Sequence, residues 1–284
     1  MILLEPPPSA MNWTPTVHRR HRHALGMPTL LALVVGCTPA QPATSPPVPS
    51  ASPAHSASPV PSPTGPPPNF VLLMADDLDE TLMPYMPRVK RLLTDQGTSL
   101  SRYYVNIPWC CPSRVTTLRG QYAHNTGVFS VNPPDGGYVE FYERGEERST
   151  LATWLQSAGY RTGLFGKYLN GFPHQVPKLP LDYVPPGWNS WVTPVKGAPF
   201  SGFNYTLSMN GRLVQRPPTA DNYLTDVLAR EAEKFVSAKD ERPFFAFVTP
   251  LMPHLPAVPA PRHAGMFPDL KAPRTPNFDP PDAA

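Results

Sequence analysis

The chain has few cysteines, little charge and no long apolar run, and each of these shortages excludes a class of protein. Three Cys in 284 residues cannot form a disulfide framework. Charged residues make up only 16% of the chain, and the formal net charge is +3 without a basic stripe, so we expect no nucleic-acid partner. No apolar run reaches the ~18 residues of a membrane-spanning helix, which excludes a polytopic membrane protein.

Proline, in contrast, is abundant and unevenly distributed. Of the 43 Pro, 12 fall in the 31 positions of residues 38–68, a segment without Asp, Glu, Lys or Arg. Such a segment cannot bury enough apolar surface to offset its chain entropy, so we predict a disordered, extended linker there. The remaining segment, residues 69–284, is long enough for one sizeable domain.

The first 37 residues have the features of an export signal. A basic stretch at 18–23 precedes a short apolar segment at 24–35, which cannot span a bilayer. This segment runs into Val-Val-Gly-Cys at 34–37, which resembles a bacterial lipobox. We therefore predict that Cys37 is lipidated and that this anchor alone holds the exported protein on the outer face of the membrane, in the cell envelope. The alternative is an ordinary signal peptide and a secreted protein.

Helical patterns that alternate with apolar strands predict an α/β domain. The apolar runs typical of buried parallel strands are residues 69–75, 160–166 and 243–249. A long amphipathic helix is predicted over 221–239, and Asn210-Gly211 predicts a hairpin turn. We expect a mostly parallel sheet with helices on both of its faces.

Polar residues come soon after each predicted strand. Asp76 and Asp77 follow the first strand, Lys167 follows the second, and His254 follows the third. Because ligands of parallel sheets bind beyond the carboxyl ends of the strands, we expect these four side chains to converge at one edge. This edge is the candidate active site.

The motif that points to a function is Cys110-Cys111-Pro112-Ser113-Arg114. Its pattern, Cys-x-Pro-Ser-Arg, resembles the signature of the sulfatase family, and the likeness extends from residue 69 to about residue 279. The likeness is greatest to the branch of N-acetylglucosamine-6-sulfatases and heparan-type 6-O-sulfatases. The stretches that carry it are 120–125, 166–170, 185–188 and 205–211. The resemblance implies an alkaline-phosphatase-like fold.

The resemblance also implies an unusual nucleophile. A maturation enzyme would oxidise Cys110 to Cα-formylglycine, whose hydrate has two hydroxyl groups on one carbon. One hydroxyl attacks sulfur and takes the sulfuryl group, and proton loss from the other expels sulfate and restores the aldehyde. A serine would remain trapped as its own sulfate ester. The chain would thus hydrolyse sulfuric esters of sugars or aryl alcohols.

The oxidised Cys110 would act within a metal site. By resemblance, Asp76, Asp77 and residue 110 would bind Ca²⁺, with Mg²⁺ as the alternative, and the metal would polarise a sulfate oxygen. A helix predicted from Cys110 to about Leu118 would place the nucleophile at a helix N-terminus, which favours anions. Arg114, one turn into this helix, would hold the deprotonated hydroxyl of the hydrate.

Five further residues are candidates. Lys167 would pair with the sulfate or the hydrate, and His254 would contact the leaving oxygen and act as a general acid. Substrate-binding candidates are His124, Asn125 and Asn170. Each has an ordinary structural alternative, such as a turn or a solvated strand end. Cys111 is expected to be a packing residue.

Two questions stay open in the sequence. Residues 255–284 contain neither a second metal motif of the family nor its second active-site lysine, so we expect residues 69–284 to be the N-terminal portion of a sulfatase, incomplete at the carboxyl end. An inactive remnant is therefore one alternative function. A hydrolase of phosphonate or phosphate esters with the same nucleophile is the other.

Overall fold

In a computed structural model of the chain, residues 65–271 and Arg274 are described. The predicted signal, the lipidation of Cys37 and the linker up to residue 64 lie outside these residues. Among the described residues, no helix combines the length and the apolar character that crossing a bilayer requires.

One mixed sheet forms the centre of the fold. Its strands are β1 (Phe70–Leu73), β2 (Arg161–Gly166), β3 (Ser190–Gly197), β4 (Tyr205–Met209), β5 (Arg212–Arg216) and β6 (Phe244–Thr249). They lie in the order β1-β6-β2-β3-β4-β5. The pairings β1–β6, β6–β2 and β2–β3 are parallel, and only β4 and β5 are added in antiparallel fashion. The prediction of a mostly parallel α/β fold is confirmed.

Helices cover both faces of this sheet. The helices of the described residues are α1 (Pro87–Val89), α2 (Cys110–Arg119), α3 (Ala123–Thr126), α4 (Gly137–Glu143), α5 (Leu151–Ser157) and α6 (Leu224–Val236), with a π-helical turn at Lys90–Thr94. Successive strand residues point to opposite faces and so enter two cores. Leu164 and Trp191 pack with α2, α4 and α5, whereas their neighbours Phe165 and Val192 pack with α6.

The hairpin between β4 and β5 forms as its sequence predicts. Asn210 and Gly211 have φ angles of 51° and 80°, the left-handed pair that a two-residue type I′ turn requires. The Asn210 side chain also accepts a hydrogen bond from the Trp191 backbone N–H at 2.6 Å. This bond ties the hairpin to β3, one strand further into the sheet.

The prediction that residues 69–75 form a buried strand is wrong. β1 is shorter, and Phe70, Val71 and Leu73 are 44%, 60% and 61% exposed. The physical reason is position, because β1 pairs with β6 on one side and no described residue pairs with its other side. An apolar run reports how a strand is composed, but it does not report how many neighbours the strand has.

Candidate active site

Two aspartates follow β1 at the carboxyl end of the sheet. Asp76 is buried, and its backbone forms a parallel bridge with Pro253, which lies beyond the end of β6. Asp77 is exposed, and its φ angle of 59° is left-handed, a conformation that Asp tolerates better than most residues. The bridge and this turn fix both carboxylates where β1 and β6 end.

Helix α2 brings the predicted nucleophile to the same place, because it begins at Cys110. The residue before it, Trp109, has no side-chain acceptor, so it leaves the N–H groups of the first turn for an anion. The Sγ atom of Cys110 and carboxylate oxygens of Asp76 and Asp77 all lie within 4.8 Å of one another. The predicted helix after Cys110 is thus confirmed.

Two cations share the Asp76 carboxylate. Arg114 Nη2 lies 3.1 Å from Oδ1 of Asp76, and Lys167 Nζ lies 2.7 Å from Oδ2. Arg114 Nη1 also donates to the backbone oxygen of Lys167 at 2.8 Å, which fixes the guanidinium. All three side chains are buried, so two formal positive charges face one negative charge in a region of low dielectric. The nearby Asp77 carboxylate balances the second positive charge formally, but it is exposed, so the two buried cations still offer N–H donors to a bound anion.

His254 completes the group on the exposed side. Its Nδ1 lies 2.7 Å from the backbone oxygen of Leu255, and because a carbonyl only accepts, Nδ1 is the donor. Its Nε2 faces Asp77 Oδ2 at 3.5 Å. The ring of Phe200 lies 4.6 Å from the imidazole and 5.3 Å from Lys167 Nζ, so this phenyl group holds both side chains in position. The four residues predicted at the strand ends do converge.

The three substrate-binding candidates lie in different places. Asn170 lines a cleft together with Lys167 and is three residues from it along the same loop. His124 and Asn125 lie exposed on α3, where His124 contacts the Tyr122 ring, and no contact among the described residues joins them to Asp76. The roles of all three stay predictions.

Sequence reasoning missed the cleft beside Lys167. Its walls come from the loop after β2, from the end of β3 and from residues 199–200, and its volume is about 340 Å³. Phe200 and Lys196 were not selected, because a lone phenylalanine and a lone lysine carry no spacing signal. Only the fold brings them beside Lys167.

The two adjacent cysteines differ sharply in environment. Cys110 is partly exposed, whereas Cys111, the next residue of α2, is fully buried in the core. Burial raises the pKa of the Cys111 thiol to about 11, so this thiol stays protonated at neutral pH. Cys111 is a packing residue, as the sequence predicts.

We therefore expect iodoacetamide at pH 8 to alkylate Cys110 of the unoxidised native chain at least about tenfold faster than Cys111, because only an accessible thiolate reacts quickly. Peptide mass spectrometry after short labelling measures the two rates. In 8 M urea, where burial is lost, the two cysteines should react alike. Equal labelling in the native chain would contradict the buried position of Cys111.

The residues present fit a hard divalent cation. Among the described residues, Asp76, Asp77 and Cys110 form the one cluster of three close ligand atoms. Two carboxylates are ligands that Ca²⁺ and Mg²⁺ prefer, whereas a thiol is not. Oxidation of Cys110 to a hydrated aldehyde would place oxygen in the third position and make the donor set uniform.

Comparison with known proteins agrees with this geometry. The Sulfatase family model matches residues 68–276, which is most of the chain. The chain belongs to the sulfatase family. The resemblance seen in the Cys110–Arg114 motif is thereby confirmed, and the shared domain covers every residue of the candidate site from Asp76 to His254.

Two curated sulfatases illustrate the relationship. The chain is 36% identical over 219 residues to the N-acetylglucosamine-6-sulfatase of Homo sapiens, an alignment that covers 75% of the chain and 39% of the relative. It is 34% identical over 219 residues to the extracellular sulfatase SULF-1 homolog of Drosophila melanogaster. This alignment covers 75% of the chain and 19% of the relative. The chain thus spans well under half the length of these relatives.

A solved structure shows the same fold. It is a protein in complex with its substrate D-glucosamine-2-N,6-O-disulfate, with a TM-score of 0.53 and 22% sequence identity. The likeness covers 74% of this chain and 39% of that one. At this identity the comparison supports the fold alone, and it agrees with the mixed sheet and its two helical layers.

Proposed function

We propose that this protein is a sulfuric ester hydrolase that acts on sulfated sugars or aryl sulfates and uses Cys110, oxidised to Cα-formylglycine, as its nucleophile. The observation that carries the proposal is the close approach of Cys110, Asp76 and Asp77 within 4.8 Å, beside two buried cations. Membership of the sulfatase family supports it, and the names of the relatives indicate sulfated glucosamine as the substrate class.

The metal would be held by Asp76, Asp77 and the modified residue 110. Ca²⁺ is the first choice and Mg²⁺ the alternative, because both prefer oxygen ligands. When bound, the cation would supply Lewis-acid polarisation of a sulfate oxygen. The oxidised residue would supply a hydroxyl for attack and a route for release of sulfate.

Three further side chains stabilise negative charge or transfer a proton in the proposed reaction. Arg114, fixed by the Lys167 carbonyl, holds the oxygen of residue 110 in its deprotonated form. Lys167, which follows β2 and pairs with Asp76, would stabilise the negative sulfate oxygens. His254 presents Nε2 from the exposed side; in its doubly protonated imidazolium form, this nitrogen would donate a proton to the leaving alcohol oxygen while Nδ1 keeps its bond to the Leu255 carbonyl.

The location is part of the proposal. The name of the Drosophila melanogaster relative describes an extracellular sulfatase, and this supports export of the present chain. Lipid anchoring through Cys37 rests on the lipobox-like motif alone. A maturation enzyme that oxidises Cys110 would be an obligatory partner before the protein becomes active.

The proposed function is tested with the full chain, co-expressed with a formylglycine-generating enzyme and supplied with Ca²⁺. Peptide mass spectrometry should find an aldehyde at position 110, and 4-nitrophenyl sulfate should be hydrolysed faster than a 4-nitrophenyl phosphonate ester. Preferential turnover of the phosphonate would favour an esterase of the other class. An unmodified Cys110 with no turnover of either ester would indicate an inactive remnant.

A further inference from the structure

The cleft beside Lys167 has the size and the lining of a ligand site. Its volume of about 340 Å³ is within the usual range for pockets that hold small molecules. Its apolar walls come from Phe172, Val195, Phe200 and Leu251. The cleft shares Lys167 with the candidate active site, so a molecule whose sulfate ester lies at Cys110 can extend into it.

The charges around this cleft have one sign. Lys167 and Lys196 line it, and no Asp or Glu is among its described lining residues. Lys167 is already paired with Asp76, whereas Lys196 is exposed and has no ion-pair partner among residues 65–271. An unpaired cation at the mouth of a cleft without acidic residues favours an anionic group there.

A β-bulge precedes Lys196. The pairing of β3 with β4 shifts between Pro194 and Lys196, so Val195 is the extra residue. His174 Nε2 donates to the Val195 carbonyl at 2.6 Å and ties the loop after β2 to the bulge. Both walls of the cleft are thereby held together, and Lys196 follows the bulge as an exposed lining residue.

The inner wall has unused polar atoms. Within the part of the chain that the structure describes, Asn170 Oδ1 and Thr193 Oγ1 have no hydrogen-bond partner, and both residues line the cleft. Both atoms are closed off from the cleft surface, so they do not contact a ligand bound there. The apolar walls of the cleft nevertheless fit the faces of a sugar ring.

We propose that this cleft binds a second anionic group of the sugar substrate, and that Lys196 is the residue that selects it. The inference rests on the proposed function, which places the sulfate ester at Cys110. The second group is either another sulfate on the same sugar or the carboxylate of an adjoining uronic acid. Each of these groups carries one negative charge on its oxygens, and these oxygens accept hydrogen bonds from an ammonium group.

The test measures binding by calorimetry to the full chain with Cys110→Ala, which prevents turnover, in the presence of Ca²⁺. The probes are N-acetylglucosamine 6-O-sulfate, glucosamine 2-N,6-O-disulfate and 6-O-sulfated N-acetylglucosamine linked to a uronic acid. We expect at least one dianionic probe to bind about tenfold more tightly than the monosulfate, as one charge-assisted contact predicts. Preference for the disulfate or for the uronic acid identifies the source of the second charge.

When Lys196→Gln is combined with Cys110→Ala, the preference for a dianionic probe should disappear. Lys196→Arg in the same background should retain most of this preference. Lys239→Gln, an exposed lysine at the opposite end of the sheet, is the matched control and should change nothing. The subsite is refuted if all three probes bind alike, or if the preference survives Lys196→Gln. Turnover of 4-nitrophenyl sulfate by the matured chain decides the proposed function separately, so each can fail without the other.

Discussion

Replacement of Cys110 by Ala is expected to lower the rate of 4-nitrophenyl sulfate hydrolysis by about 10³-fold or more, because removal of a covalent nucleophile costs at least this much in other hydrolases. Cys110 lies at the start of α2, beside Asp76 and Asp77, and it is the nucleophile in the proposed function. The assay is kcat of the matured chain in Ca²⁺, with circular dichroism to confirm that the variant folds.

Cys110→Ser gives a sharper result than Cys110→Ala. Its hydroxyl can accept the sulfuryl group, but no second hydroxyl on the same carbon can expel it. We expect no more than one equivalent of 4-nitrophenol per chain, and a mass increase of one sulfuryl group at residue 110. Cys111→Ala is the control, since it alters packing in the core and leaves the thiol of Cys110 in place. Steady turnover by either Cys110 variant would show that another residue is the nucleophile.

Asp76→Asn should destabilise the metal-free chain by about 3–5 kcal/mol, the usual cost of removing one member of a buried ion pair. The substitution conserves shape, but it leaves Arg114 and Lys167 buried beside a neutral amide. Their mutual repulsion is then uncompensated. The free energy of unfolding is measured by urea titration in EDTA, and the Ca²⁺-induced rise in Tm should also disappear.

Asp77→Asn is the matched control for this variant. The Asp77 side chain is mostly exposed, and Asn accepts the same left-handed backbone, so the metal-free stability should change by less than about 0.5 kcal/mol. Its Ca²⁺-induced rise in Tm should nevertheless decrease. A loss below about 1 kcal/mol for Asp76→Asn would mean that solvent, and not Asp76, compensates the two cations.

Most of the candidate site could be predicted because its residues occupy special points of the sequence. Lys167 directly follows β2, Asp76 comes shortly after β1, and the carboxyl ends of parallel strands meet at one edge. Cys110 and Arg114 have the spacing of the family motif, and this spacing is also one turn of a helix. Both signals are local in the sequence, so they can be recognised without knowledge of the tertiary structure.

The cleft could not be predicted in the same way. β3 contains Pro194, which argues against a strand inside a sheet because proline cannot donate to the ladder. The structure resolves the conflict, since the residues of β3 that pair with β2 are Ser190, Trp191 and Val192, and Pro194 lies beyond that pairing, beside the bulge. The contribution of Lys196 depends on this bulge, which no pattern in the sequence indicates.

Position 77 has a consequence for which sequences can carry this site. The backbone there demands a residue that tolerates a positive φ, a requirement that Gly, Asn and Asp meet at least cost. The metal site that we propose beside it would require a carboxylate, a requirement that Asp and Glu meet. Only one of the twenty amino acids satisfies both conditions comfortably. Random change at this codon should therefore be tolerated far less than its solvent-facing setting suggests.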